Sequence, residues 1–160
     1  VYHLRNPLRK RAGLRRISRI MNCIHVEFEV PGNNFLSAGS ASDSVKSTLK
    51  KLGVPAPAIR RVAIAMYEAE INMVIHAGGG RCYADIFDDH IRIVMKDEGN
   101  GIADVDLAMQ EGYSTATDDV RNLGFGAGMG LPNIKTYSDR LKIDTEVGVG
   151  TTLTIEIDFD

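Results

Sequence analysis

The chain has 160 residues, of which 44% are hydrophobic and 25% charged, and its net charge at pH 7 is −2. This length predicts one domain with its own hydrophobic core. Cys23 and Cys82 fit neither a disulfide framework nor a Cys-x-x-Cys metal site, so we expect a reducing compartment. No run approaches the roughly 18 apolar residues of a membrane span, and the lack of Trp argues against a base-stacking nucleic-acid surface. We therefore expect a cytoplasmic protein that binds neither a membrane nor nucleic acid directly.

Basic residues are concentrated at the N-terminus. Residues 1–20 contain seven basic side chains and no acidic one, which leaves 12 basic against 21 acidic residues, about −9, in the rest of the chain. A basic arm can contact an anionic partner or act as a targeting segment. A non-native leader, with Met21 as the natural start, would have the same composition. We expect residues 1–20 to be such an arm, non-native or disordered, and residues 21–160 to be the folded domain.

The first half of the chain predicts one strand and two helices. Apolar and polar residues alternate from Ile24 to Val30, which is typical of a half-buried strand. Apolar residues at spacings of three and four then predict an amphipathic helix from Ala38 to Leu52. Two prolines mark the start of a second helix. Its predicted core stripe is Ile59, Val62, Met66, Ala69 and Met73.

The second half predicts two strand pairs separated by helical and loop segments. In order, these are strands Cys82–Phe87 and His90–Lys96, a short helix Val105–Glu111, a mobile loop over residues 112–127, a helix Leu131–Asp139, and strands over residues 141–145 and 153–159. Helices and adjacent antiparallel strands in this order indicate an α/β (α+β) fold. We expect a two-layer sandwich of helices on a mixed, mostly antiparallel sheet.

Glu68 and Asn72 lie four residues apart, so the second helix would carry a carboxylate and an amide on one face. An amide oxygen can coordinate Mg²⁺, and a carboxylate one turn earlier can accept a proton from a hydroxyl that attacks a phosphate. Glu70 points about 160° around the helix from Asn72, which favours Glu68 as the base. The pair alone would also fit an ordinary solvated helix.

Asp97 follows an apolar strand and begins an Asp-x-Gly-x-Gly turn. Its carboxylate could accept a hydrogen bond from an exocyclic amine such as the adenine N6. Gly99 and Gly101 would allow a sharp turn and a close approach of the base. Such a turn alone is common in other proteins.

Gly126, Gly128 and Gly130 precede the helix that begins near Leu131. A glycine-rich helix N-terminus offers free N–H groups and a positive dipole end to phosphates. No Gly-Lys-Ser/Thr follows, so this is not a Walker A loop. Taken alone, the glycines would also fit a flexible loop.

Together, in this order, the three motifs resemble the N, G1 and G2 boxes of the GHKL ATPase superfamily. The resemblance covers roughly residues 23–159 and is closest to the small bacterial anti-sigma factors and switch-protein serine kinases of the SpoIIAB, RsbW and RsbT type. Two segments look closest to the RsbT-like kinases: Glu111-Gly112-Tyr113-Ser114-Thr115 and Gly130-Leu131-Pro132-Asn133-Ile134-Lys135. It implies a histidine-kinase-type ATP-binding domain over residues 21–160, with ATP and Mg²⁺ as cofactors.

The resemblance also implies roles for individual residues. Glu68 would be catalytic and Asn72 would hold the metal. The residues implied in nucleotide binding are Asn72, Asp97, Gly99, Gly101, Gly126, Gly128, Met129, Gly130, Leu131 and Thr151. Thr151 matches a threonine on the family's last strand that helps to hold the adenine-binding aspartate, with Thr152 as the second candidate. Contacts of Arg121 and Lys135 with phosphate are left open.

The function that the resemblance implies is an ATP-dependent serine/threonine protein kinase. It would transfer the γ-phosphate to a serine or threonine of a STAS-type antagonist protein. The alternative is an anti-sigma factor that sequesters a sigma factor in a nucleotide-dependent way, and a plain ATPase is a further candidate. The partner's identity is left open, as is assembly into a homodimer.

Overall fold

The computed structural model describes residues 1–5, 23–122 and 128–160. Six strands in these ranges form one sheet: β1 (Tyr2–Arg5), β2 (Ile24–Pro31), β3 (Gly79–Ile86), β4 (His90–Lys96), β5 (Arg140–Glu146) and β6 (Gly150–Asp158). The helices are α1 (Ser40–Lys51), α2 (Ala56–Ala77), α3 (Val105–Ala108), α4 (Asp118–Asn122) and α5 (Gly130–Tyr137). The expected two-layer sandwich of helices on a sheet is confirmed.

The strand order is β1-β5-β6-β4-β3-β2, and each of these neighbouring pairs is antiparallel. The described strands thus form the mostly antiparallel sheet that we expected, with no parallel pair among them. Two helices, α1 and α2, connect β2 to β3. Because each helix reverses the chain direction, a pair of helices brings β3 back antiparallel to β2, whereas a single crossover helix would make the two strands parallel.

The hydrophobic core lies between the sheet and the helices. Alternate residues of the central strands, such as Cys82, Ile93 and Ile155, are fully buried and face the helix layer. Burial raises the pKa of the Cys82 thiol to about 12, so this cysteine stays protonated. The predicted stripe of α2 is buried as expected, and α1 and α5 pack beside it. No helix in the described ranges is long and apolar enough to cross a membrane.

Some elements differ from the sequence-based expectation. Tyr2–Arg5, expected in the basic arm, form the edge strand β1 beside β5, and Leu4 packs against the core. Residues 6–22 lie outside the described part of the chain. The expected loop over residues 112–127 contains α4, and its residues 123–127 are also outside the described ranges. The helix expected at Val105–Glu111 ends at Ala108.

Two buried charged residues of α2 attach it to its neighbours. Arg61 binds the carboxylate of Asp139 at 2.5 Å and donates to the carbonyls of Tyr137 and Asp158 at 3.3 and 3.1 Å. Glu70 is 1% exposed and accepts the backbone N–H groups of Gly39 (2.9 Å) and Ser42 (2.5 Å) at the start of α1. Arg61 thus joins α2 to the end of α5 and the sheet, while Glu70 joins α2 to α1.

Candidate functional site

A cavity of about 700 Å³ lies between α2, the turn that follows β4 and the start of α5. Its volume is in the range of typical small-molecule sites. Nine of the eleven residues expected at the site line this cavity: Glu68, Asn72, Asp97, Gly101, Gly128, Met129, Gly130, Leu131 and Thr151. Three motifs that are distant in sequence therefore meet at one place.

The remaining candidates are placed differently. Gly99 is not part of the lining, because it packs under the end of α2, where an added Cβ would lie 2.6 Å from the Ala77 Cβ. Gly126 lies outside the described residues. Arg121 donates to the carbonyl of Ser114 at 3.2 Å, and Lys135 is exposed on α5. Neither cation belongs to the lining as described.

The Asp97 carboxylate is held by backbone groups. Its Oδ1 accepts the N–H of Gly99 at 2.9 Å and the N–H of Thr151 at 3.1 Å, and its own N–H donates to the Thr151 carbonyl. Its Oδ2 accepts no hydrogen bond from any residue that the structure describes. The side chain is therefore fixed through one oxygen, and the other is available to a donor in the cavity.

Thr151 supports Asp97 through its backbone, while its hydroxyl has another contact. The Oγ1 of Thr151 lies 2.9 Å from the Oγ1 of Thr145 on β5, which accepts the N–H of Ile102 at 2.9 Å. These contacts connect the ends of β5 and β6 to the turn after Asp97. We had not identified Thr145, because only the β5–β6 pairing brings it opposite Thr151.

Gly101 is required by the path of the protein backbone. Its φ is +72°, and an added Cβ would lie 2.4 Å from the carbonyl oxygen of Glu146. The turn after Asp97 therefore needs glycine in order to pass the β5–β6 hairpin, since an L-residue would be strained there and would clash. This reason differs from the expected approach of a nucleotide base.

Asn72 lies directly beside the N-terminus of α5 at the cavity. An added Cβ on Gly130 would lie 3.0 Å from the Asn72 Oδ1, so glycine leaves room beside this amide. No side chain caps the N-terminus of α5, and the Asn72 side chain makes no hydrogen bond within the described ranges. Uncapped N–H groups beside a free amide oxygen fit a phosphate with its Mg²⁺ ion.

Glu68 lies one turn before Asn72 on the same helix. Its Oε1 accepts a hydrogen bond from the Nδ2 of Asn133 on α5 at 3.2 Å. Glu70, the competing carboxylate, is buried against α1, where burial raises the pKa of its carboxyl while the N–H groups of Ser42 and Gly39 oppose that rise. The structure therefore excludes Glu70 from the cavity lining and leaves Glu68 there.

His76 lines the same cavity one turn beyond Asn72. Its Nδ1 lies 3.4 Å from the Oγ1 of Thr115, in the segment that leads to α4. Protein atoms around the ring lower the pKa of His76, and the nearby Asp97 carboxylate opposes this shift. A neutral imidazole is therefore favoured at this wall.

Gly128, two residues before α5, is held through its backbone. The N–H of Gly112 donates to the carbonyl of Gly128 at 3.0 Å, so the residues before α4 and those before α5 come together. Tyr113 and Ser114 line the cavity beside this contact. From the sequence we had placed these residues in a mobile loop and assigned them no role.

Comparisons with known proteins identify the family of this chain. Residues 37–157 match the family described as histidine kinase-like ATPase domain. An anti-sigma F factor of Caldanaerobacter subterraneus subsp. tengcongensis is 36% identical over 103 residues, covering 59% of this chain and 68% of the relative. Another, from Thermoanaerobacter pseudethanolicus, is 30% identical over 127 residues, covering 74% and 85%. The serine/threonine-protein kinase RsbT of Bacillus subtilis is 29% identical over 112 residues, covering 68% and 78%.

A solved structure shows the same fold. The RsbU and RsbW domains of Rv1364c from Mycobacterium tuberculosis align with a TM-score of 0.54 and 16% identity, over 86% of this chain and 33% of that one. The chain thus spans about a third of that solved protein. Because the family match extends over most of the sequence, this chain belongs to the histidine kinase-like ATPase domain family, whose members bind ATP.

Proposed function

We propose that the protein is a cytoplasmic, ATP-dependent serine/threonine kinase that phosphorylates a STAS-type antagonist protein. The observation that carries this proposal is the arrangement of Glu68 and Asn72 on one wall of the cavity, beside the uncapped N-terminus of α5. A carboxylate beside a phosphate site can act on an attacking hydroxyl, which simple nucleotide binding would not need. Similarity to the RsbT kinase supports the same reaction.

Each group has a distinct task in this mechanism. The free oxygen of Asp97 accepts a hydrogen bond from the adenine amine, and the N–H groups at the start of α5 bind phosphate oxygens. Asn72 would hold the Mg²⁺ ion, which would supply positive charge against the phosphates. Glu68 accepts the proton of the acceptor hydroxyl as that oxygen attacks the γ-phosphorus, and ADP leaves.

A direct test uses γ-labelled ATP, Mg²⁺ and a STAS-type protein that is captured from native lysate on the purified chain. We expect label on a serine or threonine of the STAS protein. Glu68→Ala should transfer it about 10²–10⁴-fold more slowly while binding ATP normally, because the carboxylate acts on the nucleophile. If Glu68→Ala transfers phosphate at the wild-type rate, the catalytic assignment is wrong.

The Asn72→Ala variant separates metal binding from base catalysis. With Mg²⁺ present, its affinity for ATP should fall together with turnover, since Asn72 acts through the metal. In EDTA, wild type and variant should bind ATP alike by calorimetry. An equal loss of affinity in both buffers would show that Asn72 contacts the nucleotide in another way.

The second candidate is an anti-sigma factor, a name carried by two of the relatives. It predicts that the protein co-purifies with a sigma factor and that ATP or ADP changes the amount captured. Stable capture of a sigma factor, without label on any STAS protein, would favour this function over the kinase. Mass spectrometry of lysate pull-downs with and without nucleotide distinguishes the two.

A further inference from the structure

We propose that Asn133 is a positioning residue that aims the Glu68 carboxylate at the acceptor hydroxyl. This inference rests on the proposed function and adds to it a residue on a different helix. The contact is a single hydrogen bond from Asn133 Nδ2 to Glu68 Oε1 at 3.2 Å, between residues 65 positions apart in sequence. This hydrogen bond joins the proposed base on α2 to the helix whose N-terminus forms the proposed phosphate site.

The position of Asn133 is set by the packing of α5. Leu131 and Ile134 on either side are buried in the core, which fixes the rotation of the helix about its axis. The Asn133 N–H donates to the carbonyl of Met129 at 2.9 Å, so the first turn is formed. With α5 packed on α2, the Asn133 side chain reaches Glu68.

An amide suits this task better than a cation would. A neutral N–H donor orients one carboxylate oxygen without neutralising the base, so the other oxygen can accept a proton. The Glu68 Oε2 makes no hydrogen bond to any described residue and is available for this. A lysine or arginine at the same place would form an ion pair with the base and weaken it.

The contact also couples the base to phosphate binding. Gly130, where the phosphates would meet the N-terminus of α5, lies less than one helical turn before Asn133. Any movement of this turn moves the Asn133 amide with it. The orientation of Glu68 therefore depends on the position of the first turn of α5, where the phosphates would bind.

The first test observes the contact itself by NMR, without enzymatic turnover. The side-chain amide resonances of Asn133 should shift in Glu68→Gln relative to wild type, because the acceptor changes from a carboxylate to a carboxamide. The side-chain amide of Asn100, which lines the same cavity, is the internal reference. If the Asn133 resonances do not move, the positioning proposal fails whether or not the protein is a kinase.

The second test measures phosphoryl transfer to the captured STAS protein. We expect Asn133→Ala to lower kcat about tenfold with little change in the KM for ATP. Asn133→Asp has the same shape but places a second carboxylate beside Glu68. It should lower kcat further and move the acidic limb of the pH–rate profile to higher pH, because a like charge disfavours the ionised base. Lys135→Ala, an exposed substitution two residues along α5, is the matched control for helix stability.

The outcomes separate the two proposals. If Asn133→Ala and Asn133→Asp both transfer phosphate at the wild-type rate while Glu68→Ala is inactive, Glu68 is the base and Asn133 does not position it. If Glu68→Ala is itself fully active, the proposed catalytic role of Glu68 fails instead. A loss in Asn133→Ala that Asn133→Asp restores would indicate a packing role and overturn the proposal.

Discussion

The two oxygens of the Asp97 carboxylate have different surroundings. One accepts hydrogen bonds from two backbone N–H groups, and the other accepts none within the described structure. An amide cannot replace this group, because rotating it only exchanges the mismatch between the two sides. With the NH₂ towards the cavity it would face an adenine amine, and with the NH₂ inwards it would face the N–H groups of Gly99 and Thr151.

We expect Asp97→Asn to weaken ATP binding by about 1–3 kcal/mol, the typical cost of one mismatched polar contact. Isothermal titration calorimetry with ATP and Mg²⁺ measures this directly. Asp144→Asn, an exposed change on the outer face of β5, is the control and should bind as wild type does. Equal affinity of Asp97→Asn and wild type, or a preference of wild type for GTP, would contradict the adenine assignment.

At the scale of elements, α1 depends on a carboxylate from its neighbour. The N-terminus of α1 has no capping side chain of its own, and Glu70 of α2 accepts its N–H groups at Gly39 and Ser42. A buried carboxylate in this position also complements the positive end of the helix dipole. The start of α1 is therefore secured by a contact across the helix layer.

Glu70→Ala should lower the free energy of unfolding by about 2–3 kcal/mol, since it leaves buried N–H groups unpaired. Chemical denaturation measures the loss. Glu68→Ala, two residues earlier and half-buried at the cavity, is the matched control and should cost clearly less. Similar costs for the two variants would mean that the Glu70 contact contributes little to stability.

The edge strand β2 should respond to pH through His25. Its ring contacts Glu27 at 2.9 Å and Asp85 on β3 at 2.5 Å, and these hydrogen bonds raise the pKa of His25. Because the folded-state pKa lies above the unfolded one, this contribution to stability is complete below the ordinary His pKa. It is lost as pH rises through the raised value.

We therefore expect His25→Gln to lower Tm relative to wild type near pH 6, with the difference closing by about pH 9. His25 and its contacts with Glu27 and Asp85 are at the surface, so the effect on Tm should be small and should shrink in high salt. Differential scanning calorimetry across this range measures it. A difference that is constant with pH would show that His25 acts by packing alone.

The local spacing of apolar residues predicted the helices and strands with strong periodicity. It missed the features that depend on residues far away in the sequence. The stripe of α2 and the alternation of β2 and β6 follow from spacing, so these elements were identified. Tyr2–Arg5 have no such pattern and become a strand only by pairing with β5. Glu70 and Asn133 are similar cases, because their partners lie 28–31 and 65 positions away.

At the scale of the whole molecule, Arg61 connects the helix layer to one end of the sheet. Its guanidinium spans the end of α5, the start of β5 and the end of β6 through Tyr137, Asp139 and Asp158. Asp139 also accepts the N–H of Asp158 at 2.7 Å. This buried cluster lies at one end of α2, and the cavity lies further along the same helix.

Removing the guanidinium should destabilise the whole domain. Arg61→Ala removes the guanidinium from the Asp139 carboxylate, and breaking a buried pair in this way typically costs about 3–5 kcal/mol. Urea unfolding measures this, and Arg60→Ala, the exposed neighbour on the same helix, should change stability by no more than about 0.5 kcal/mol. If Arg61→Ala and Arg60→Ala unfold at the same urea concentration, the Arg61 cluster does not contribute significantly to the stability of the domain.

The α2 helix fixes the spacing of three groups of residues, because one continuous set of turns carries core residues, the buried Arg61 and the proposed catalytic residues. Inserting a single residue between Arg61 and Glu68 would rotate everything beyond it by about 100°. Glu68 and Asn72 would then leave the cavity, and buried Met73 would leave the core. We therefore expect homologous chains to keep the number of residues in this interval, whatever the residue types. Insertions and deletions should therefore fall outside Arg61–Asn72 throughout the lineage.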